Sequence, residues 1–229
     1  MKIGLLTLLW KRHKIASFVL NHYSQMQLDG IELVLHCVGS EGEVSQSIAE
    51  QAGWNYTEHP NDPFSDKWNC ASEWFKDKDV EALCIIGSDN LLNEEYFYRV
   101  AGAVKAGLDS VRLGGSVLRN VKTGEMLYYG NVMVGSGKAW SRELLEKLNY
   151  KMWIPGRGRG SDKNTETLTL PYQRRHCITT NPLDLGICHL ELKGGEDLHR
   201  FESIAPAMQT TPFNELDQYF DNHEAILSL

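Results

Sequence analysis

The sequence predicts an α/β protein whose core is a mostly parallel sheet flanked by helices. Short apolar runs alternate with segments of helical periodicity along the first 105 residues. One of these runs opens the segment ALCIIGSDN, residues 82–90, and stops at a small-residue turn, as a buried parallel strand does. A chain of 229 residues with 42% hydrophobic and 23% charged residues suits a single globular domain.

The first half supplies four strand–helix units in order. Gly30 and Gly53 follow the first two helices, where glycine favours helix termination. Asn93 is a favourable first residue for the fourth helix, and Glu94 and Glu95 complement its dipole. The predicted strands are Lys2 to Leu9, Ile31 to Val38, Trp54 to Glu58 and the run from Ala82. The predicted helices are Lys14 to Gln27, Val44 to Ala52, Lys67 to Phe75 and the one from Asn93.

The second half is less regular. Two strands, Ser110 to Leu118 and Glu125 to Val134, flank a turn at residues 122–124. Apolar residues recur at helical spacing within Ser136 to Leu148. A helix from Asn164 to Leu170 and a strand from Leu185 to Leu192 complete the prediction.

Charge is distributed unevenly along the chain. The 23 basic and 30 acidic residues give a net charge of -7, which disfavours a protein whose whole surface binds nucleic acid. Between Lys151 and Arg175, however, there are six basic and two acidic residues. This segment predicts a local anion site in an acidic protein.

The cysteines and the amino terminus indicate the compartment. The five cysteines are widely spaced and form no C-x-x-C pair, which is typical of reduced thiols. The chain begins with an apolar run and becomes basic only at Lys11, the reverse of a secretory signal. No run approaches the roughly 20 apolar residues of a membrane span. We expect a cytoplasmic protein without a membrane span.

Asp89 is the first candidate for chemistry. It follows the buried strand from Ala82, and ligands of open α/β sheets collect beyond such strand ends. The alternative is that Asp89 only caps the helix that follows, since aspartate is a favoured cap.

The residues around Asp89 resemble the Asp-x-Asp region of GT-A glycosyltransferases. Ser88, Asp89 and Asn90 match that motif, while its first acidic position falls on Gly87. The resemblance implies a GT-A, Rossmann-like fold and a divalent metal, Mn or Mg, on the diphosphate of a nucleotide sugar.

Other segments match the inverting family 2 group of these enzymes in the same order. They are TLLWKR at residues 7–12, Gly39 with Ser40, DKWNCA at 66–71 and GSGKAWSRELLE at 135–146. The resemblance implies a donor pocket lined by Thr7, Trp10, Arg12, Gly39, Lys67, Asn69, Ser88, Asp89 and Asn90.

Two later residues complete the implied constellation. Asp162 falls where the family carries its catalytic carboxylate, and His189 where many members supply a metal-binding histidine beside Asp89. Carboxylate and imidazole are suitable ligands for such a metal. The alternatives are that Asp162 only caps the helix from Asn164 and that His189 is a satisfied core histidine.

The glycine-rich segment around Gly156, Gly158 and Gly160 is not a Walker loop, because no Lys-Ser or Lys-Thr follows it. We interpret it as a mobile flap that carries Arg157 and Arg159 towards donor phosphate.

Together these matches imply a single-domain, metal-dependent, inverting glycosyltransferase with a UDP-linked donor. Residues 1–105 would form the nucleotide-sugar half, 106–200 the acceptor and catalytic half, and 201–229 a carboxyl-terminal extension. Three alternatives stay open: a glycosyltransferase acting on modified bases in DNA, a sugar-phosphate nucleotidyltransferase and a non-catalytic nucleotide-sugar-binding relative. The sequence does not specify the acceptor or the oligomeric state.

Overall fold

A computed structural model describes residues 1–158, 161–173, 175–194 and 201–229, without the side chains of residues 161–163. The strands are β1 (Lys2–Leu8), β2 (Glu32–Gly39), β3 (Asn55–Glu58), β4 (Ala82–Ile85), β5 (Asn90–Leu92), β6 (Ser110–Leu113), β7 (Gly115–Asn120), β8 (Met126–Gly130), β9 (Lys138–Ser141), β10 (His176–Thr179), β11 (His189–Lys193) and β12 (Thr210–Pro212). The α-helices are α1 (His13–Gln25), α2 (Glu43–Gln51), α3 (Phe64–Glu73), α4 (Glu94–Lys105), α5 (Arg142–Lys147), α6 (Ser161–Thr169), α7 (Phe201–Ile204) and α8 (His223–Leu227).

The central sheet has seven strands in the order β10-β6-β9-β4-β1-β2-β3. It is parallel except for β9, which runs antiparallel to both of its neighbours. Leu6 of β1 pairs with His36 on one side and with Ile85 on the other. The carboxyl ends of β1, β2 and β4 therefore lie at one edge, and the predicted mostly parallel sheet flanked by helices is confirmed.

A second sheet has the order β12-β8-β7-β11-β5. β5 follows β4 after only four residues, and its residue Leu92 pairs with His189 of β11. The chain therefore leaves the central sheet and enters the second sheet within residues 86–89. Asp89 lies at this junction.

The central sheet separates two hydrophobic cores. Ile3 and Leu5 of β1 belong to the core on the side of α1 and α4, whereas Leu6 belongs to the other core, with Trp140 and Trp153. This alternation is the two-residue period of a strand that is buried on both faces.

Two predicted elements differ in the structure. The predicted strand from Ser110 is interrupted at Gly114, where a Cβ would lie 3.0 Å from the Thr180 backbone. The predicted helix from Ser136 is instead β9 followed by α5, and the Ser141 hydroxyl caps α5 by accepting from the Leu144 amide at 3.4 Å. β9 forms because its two edges pair with β4 and β6 and all of its residues are buried, a tertiary constraint that overrides helical spacing.

The sequence prediction also missed one short strand and misplaced the start of another. β10 pairs with β6, although its sequence, HCIT, is too short to give a clear pattern. The last predicted strand begins at His189 rather than at Leu185, because Pro182–Leu185 form a 3-10 turn.

We expect two buried histidines to make the fold sensitive to acid. Burial lowers the pKa of His22 and of His36 from 6.5 to about 4. Between pH 4 and pH 6.5 the unfolded chain therefore binds more protons than the folded chain does. The free energy of unfolding keeps the full contribution of the neutral histidines above pH 6.5 and loses it as the pH falls towards 4. A shift of this size corresponds to at most about 3 kcal/mol for each histidine.

Urea unfolding at pH 7 and pH 4.5 measures this loss. His36 stacks on Trp74 with ring centroids 4.2 Å apart, so His36→Phe should keep the packing and reduce the pH dependence. His176, which is exposed on β10, is the control position, and His176→Gln should leave the pH dependence unchanged. A His36→Phe variant with the parental pH dependence would contradict the prediction.

No helix within the described residues is long and apolar enough to cross a membrane.

Candidate active site

The loop from β1 to α1 places Arg12 at the carboxyl edge of the sheet. Lys11 and Arg12 both adopt left-handed backbone conformations, with φ of 55° and 51°. Such conformations cost free energy in residues other than glycine and persist where the surroundings enforce them. Here the Lys11 amide donates to the Glu41 carboxylate at 2.6 Å. The loop directs the Arg12 side chain towards Asp89.

Asp89 binds two cations through the same carboxylate oxygen. Its Oδ2 lies 2.7 Å from an Arg12 guanidinium nitrogen and 3.2 Å from the Lys193 ammonium. Arg12 also donates to the Ser88 hydroxyl at 3.2 Å. Burial alone would raise the pKa of Asp89, but Lys193 and Arg12 outweigh it and hold the pKa below its usual range. Asp89 is therefore an ionised member of a buried cluster.

The cluster continues into the second sheet. The Lys193 ammonium lies 2.7 Å from a Glu191 carboxylate oxygen, and the Tyr129 hydroxyl donates to the other oxygen at 2.9 Å. We call Arg12, Asp89, Lys193 and Glu191 the charge cluster. Its members alternate in sign, as buried ions must if they are to compensate one another.

The sequence prediction missed Glu191 and Lys193. Their signal is the alternation in HLELK, where His189, Glu191 and Lys193 share one face of a strand whose other residues are apolar. Polar residues at every second position of a buried strand face a common polar site.

The capping alternative for Asp89 does not hold. Asn93 is the residue that precedes α4, and Asp89 is occupied by the charge cluster. The Asn93 amide instead links the Gly186 carbonyl and the Cys188 amide, at 2.8 and 3.0 Å.

Gly87 occupies the position of the missing first acid of the Asp-x-Asp motif. A Cβ at this position would lie 2.1 Å from the Asn90 side-chain oxygen and 2.7 Å from an Asp89 carboxylate oxygen. The two following side chains therefore fold back over Gly87 and fill the space of a side chain there.

The predicted metal ligands Asp89 and His189 do not form a suitable metal site. Burial lowers the pKa of His189, which is close enough to Glu191, Lys193 and Asp89 to interact with their charges. Across the described parts of the chain, no three His, Cys, Asp or Glu side chains are grouped to hold a metal ion. Because Asp89 already binds two cations, the residues present do not fit a divalent ion.

Lys67 joins the loops around the predicted donor pocket. Its buried ammonium donates to the Leu9 carbonyl at 2.8 Å, to the Asn61 side-chain oxygen at 3.1 Å and to the Ser40 hydroxyl. These three bonds use all three of its protons. Burial lowers the pKa of Lys67 to about 8. Lys67 therefore connects the ends of β1 and β2 to the loop before α3.

We expect Lys67→Met to loosen this pocket. Removing the ammonium leaves the Leu9 carbonyl and the Asn61 amide oxygen without their donor, which costs about 1–3 kcal/mol. Urea unfolding measures the loss. Lys76→Met is the matched control, because Lys76 is exposed in the turn after α3. Equal stability of the two variants would show that the three hydrogen bonds contribute nothing.

Three other predicted pocket residues contact neighbouring parts of the chain. The Asn69 amide is fully engaged with Trp153, donating to its carbonyl at 2.8 Å and accepting from its amide at 3.0 Å. A Cβ at Gly39 would lie 2.4 Å from the Ser45 Cβ, so glycine there permits close packing of α2. Trp10 is 39% exposed, with the Lys11 ammonium 4.5 Å from its ring centroid.

Thr7 and Asn90, two further predicted pocket residues, are also buried. The Thr7 hydroxyl makes no hydrogen bond with the residues that the structure describes. Asn90 begins β5, and its carbonyl accepts from the Tyr23 hydroxyl at 3.2 Å.

The first part of the glycine-rich segment is bound to the start of α3. The Arg157 amide donates to the Ser65 hydroxyl at 2.8 Å, and the Gly156 amide donates to Asp66 at 2.9 Å. The Arg157 side chain is exposed. Arg159 lies outside the described residues. Asp162 is in the first turn of α6, and its side chain also lies outside them.

α6 is attached to the central sheet by polar side chains that the sequence prediction missed. Glu166 lies 3.2 Å from Arg112 of β6 and 3.6 Å from Lys138 of β9. The Asn164 amide bridges the backbone of Ile154, accepting from its amide at 2.8 Å and donating to its carbonyl at 3.2 Å. These contacts hold the helix that carries Asp162 at the carboxyl edge of the sheet.

Comparison with solved structures identifies the fold. A crystal structure of S. aureus TarS 1-349 in complex with UDP-GlcNAc superposes with a TM-score of 0.61 at 13% identity, covering 86% of this chain and 60% of that one. The mannosyltransferase PcManGT from Pyrobaculum calidifontis, in complex with GDP-Man and Mn2+, gives 0.55 at 16% identity, covering 86% and 58%. This chain thus spans about 60% of the TarS structure.

A structure of 4-diphosphocytidyl-2C-methyl-D-erythritol synthase is also similar, with a TM-score of 0.53 at 10% identity, covering 79% of this chain and 90% of that one. No protein-family model and no curated protein sequence matches this chain. The predicted GT-A fold is confirmed. At identities this low, structural similarity establishes the fold alone.

Proposed function

We propose that this chain transfers a sugar from a nucleotide-diphosphate sugar, UDP-linked, to an acceptor hydroxyl. The observation that supports the proposal is the charge cluster at the carboxyl edge of β1 and β4, where ligands of such sheets bind. Arg12 and Lys193 are the cations of this cluster, and Lys67 holds the surrounding loops. The similar structures with UDP-GlcNAc and GDP-Man agree with this class of donor.

In the proposed reaction the bond between the anomeric carbon and the diphosphate oxygen breaks, and its electron pair leaves with the nucleoside diphosphate. The acceptor oxygen bonds to the anomeric carbon, and its proton passes to Asp162, acting as general base. Attack from the face opposite the leaving group inverts the anomeric centre, the outcome that the family 2 resemblance implies. The cluster's cations stabilise the charge that develops on the leaving group.

A sugar-phosphate nucleotidyltransferase is the second candidate, because the synthase structure superposes over most of its own length. Against it, the loop after β1 reads LWKRHK, without the glycine-rich signature expected of that class at this position. The two reactions release different products, a nucleoside diphosphate and pyrophosphate.

The test is a screen of nucleotide sugars by thermal shift, followed by an assay of the released product. A donor at 100 times its dissociation constant stabilises the folded state by about 2.7 kcal/mol. We expect a UDP-sugar to raise the melting temperature and to release UDP in the presence of acceptor. Release of pyrophosphate from a nucleoside triphosphate and a sugar phosphate would favour the second candidate. Stabilisation by neither class would contradict both.

A further inference from the structure

We propose that Arg12 and Lys193 form a diphosphate site that binds the donor without a divalent metal ion. This inference rests on the proposed function and departs from the metal dependence that the Asp-x-Asp resemblance implies.

The first argument is the occupancy of Asp89. Both cations contact the same carboxylate oxygen, at 2.7 and 3.2 Å, so a divalent ion bound there would lie beside both of them. Both cations would repel such an ion, because like charges a few ångströms apart are only weakly screened in a partly buried site. The ion would have to displace Arg12 and Lys193 from Asp89.

The second argument is the loss of carboxylates around Asp89. Gly87 stands where the motif has its first acid, and Asn90 is neutral. The Asn90 and Asp89 side chains fill the space above Gly87, where a Cβ would come within 2.1 Å of the Asn90 oxygen. Only Asp89 of this segment carries negative charge, and magnesium and manganese sites favour several oxygen ligands.

The third argument is that the backbone already orients Arg12. Lys11 and Arg12 are two successive residues with left-handed backbone conformations, which cost free energy. Arg12 borders a cavity of about 660 Å³. One part of its lining is polar, with Lys11, His13 and Lys14, and the other part consists of Ile15, Val121, Gly194 and Leu229. The size is within the range of small-molecule sites, and the lysines beside Arg12 suit a diphosphate.

Lys193 complements Arg12 from the second sheet. It is 7% exposed and is held between Asp89 and Glu191, so its ammonium is already oriented. A preorganised cation stabilises a leaving group without reorganising during the reaction. Together the two cations take the role that a divalent ion plays on a departing diphosphate.

Titration calorimetry tests the proposal. UDP and GDP are each titrated into the protein in EDTA and in Mn²⁺, and Mn²⁺ is also titrated alone. We expect one of the two nucleotides to bind with dissociation constants that agree within about twofold in EDTA and Mn²⁺. Binding that requires Mn²⁺ would overturn the metal-free site while leaving the proposed function intact. Failure of both nucleotides to bind under either condition would overturn both proposals.

Charge variants locate the site. Arg12→Met and Lys193→Met should each weaken UDP binding in EDTA by at least tenfold. Lys122→Met, in the exposed turn between β7 and β8, is the control for the loss of one positive charge and should bind as the parent does. Arg12→Met and Lys193→Met risk unfolding, because each removes a charge from the cluster. Arg12→Lys and Lys193→Arg keep the charge and should bind UDP more tightly than the methionine variants. Parental affinity in folded Arg12→Met and Lys193→Met would overturn the assignment.

Discussion

Replacing Asp89 by asparagine should destabilise the protein by about 3 kcal/mol, because it leaves the buried Lys193 and the half-buried Arg12 without the carboxylate that they share. The side chain of Asp89 is only 9% exposed, so solvent does little to replace the lost charge. Chemical unfolding of both proteins at pH 7 measures the difference.

Asp79→Asn is the matched control. Asp79 also pairs with an arginine, Arg142, at 3.0 Å, but its side chain is 86% exposed. Surface pairs of this kind contribute about 0–1 kcal/mol. The double variant Asp89→Asn with Arg12→Met should be more stable than the sum of the two single changes predicts, since each single change already removes the same Arg12–Asp89 ion pair. Additive losses, or an Asp89→Asn loss as small as that of Asp79→Asn, would show that the cluster is not coupled.

Replacing Asp162 by asparagine should reduce sugar transfer by on the order of 100-fold or more, the usual scale for loss of a general base. Asparagine keeps the shape and the ability to cap a helix, so the variant should fold and bind donor as the parent does. Single-turnover transfer measures the chemical step, and calorimetry measures donor binding.

The control is Asp217→Asn, an exposed carboxylate in the 3-10 turn Leu216–Gln218. Its transfer rate should equal that of the parent. Transfer by Asp162→Asn at the parental rate would show that Asp162 is not the general base. A parallel loss of donor affinity and transfer would instead indicate that the substitution disturbs α6.

The sequence by itself predicted the α/β class and the first four strands. β1, β2 and β4 are runs of mostly apolar residues next to an amphipathic helix, and such local patterns need no tertiary information. It also predicted that Asp89 follows a buried strand. The same local reasoning misassigned β9, because burial on both sides of a strand depends on neighbours that are distant in sequence.

The chemistry of Asp89 was decided by tertiary structure. Lys193 is 104 residues away along the chain and Arg12 is 77 residues away, yet both contact the same oxygen of Asp89. A carboxylate in an Asp-x-Asp-like segment indicates a metal site, whereas the same carboxylate between two cations does not fit one. Local sequence predicts which elements form. Which charges meet is determined by the packing of β11 and the β1–α1 loop against the end of β4, because Coulomb interactions depend on distance in space.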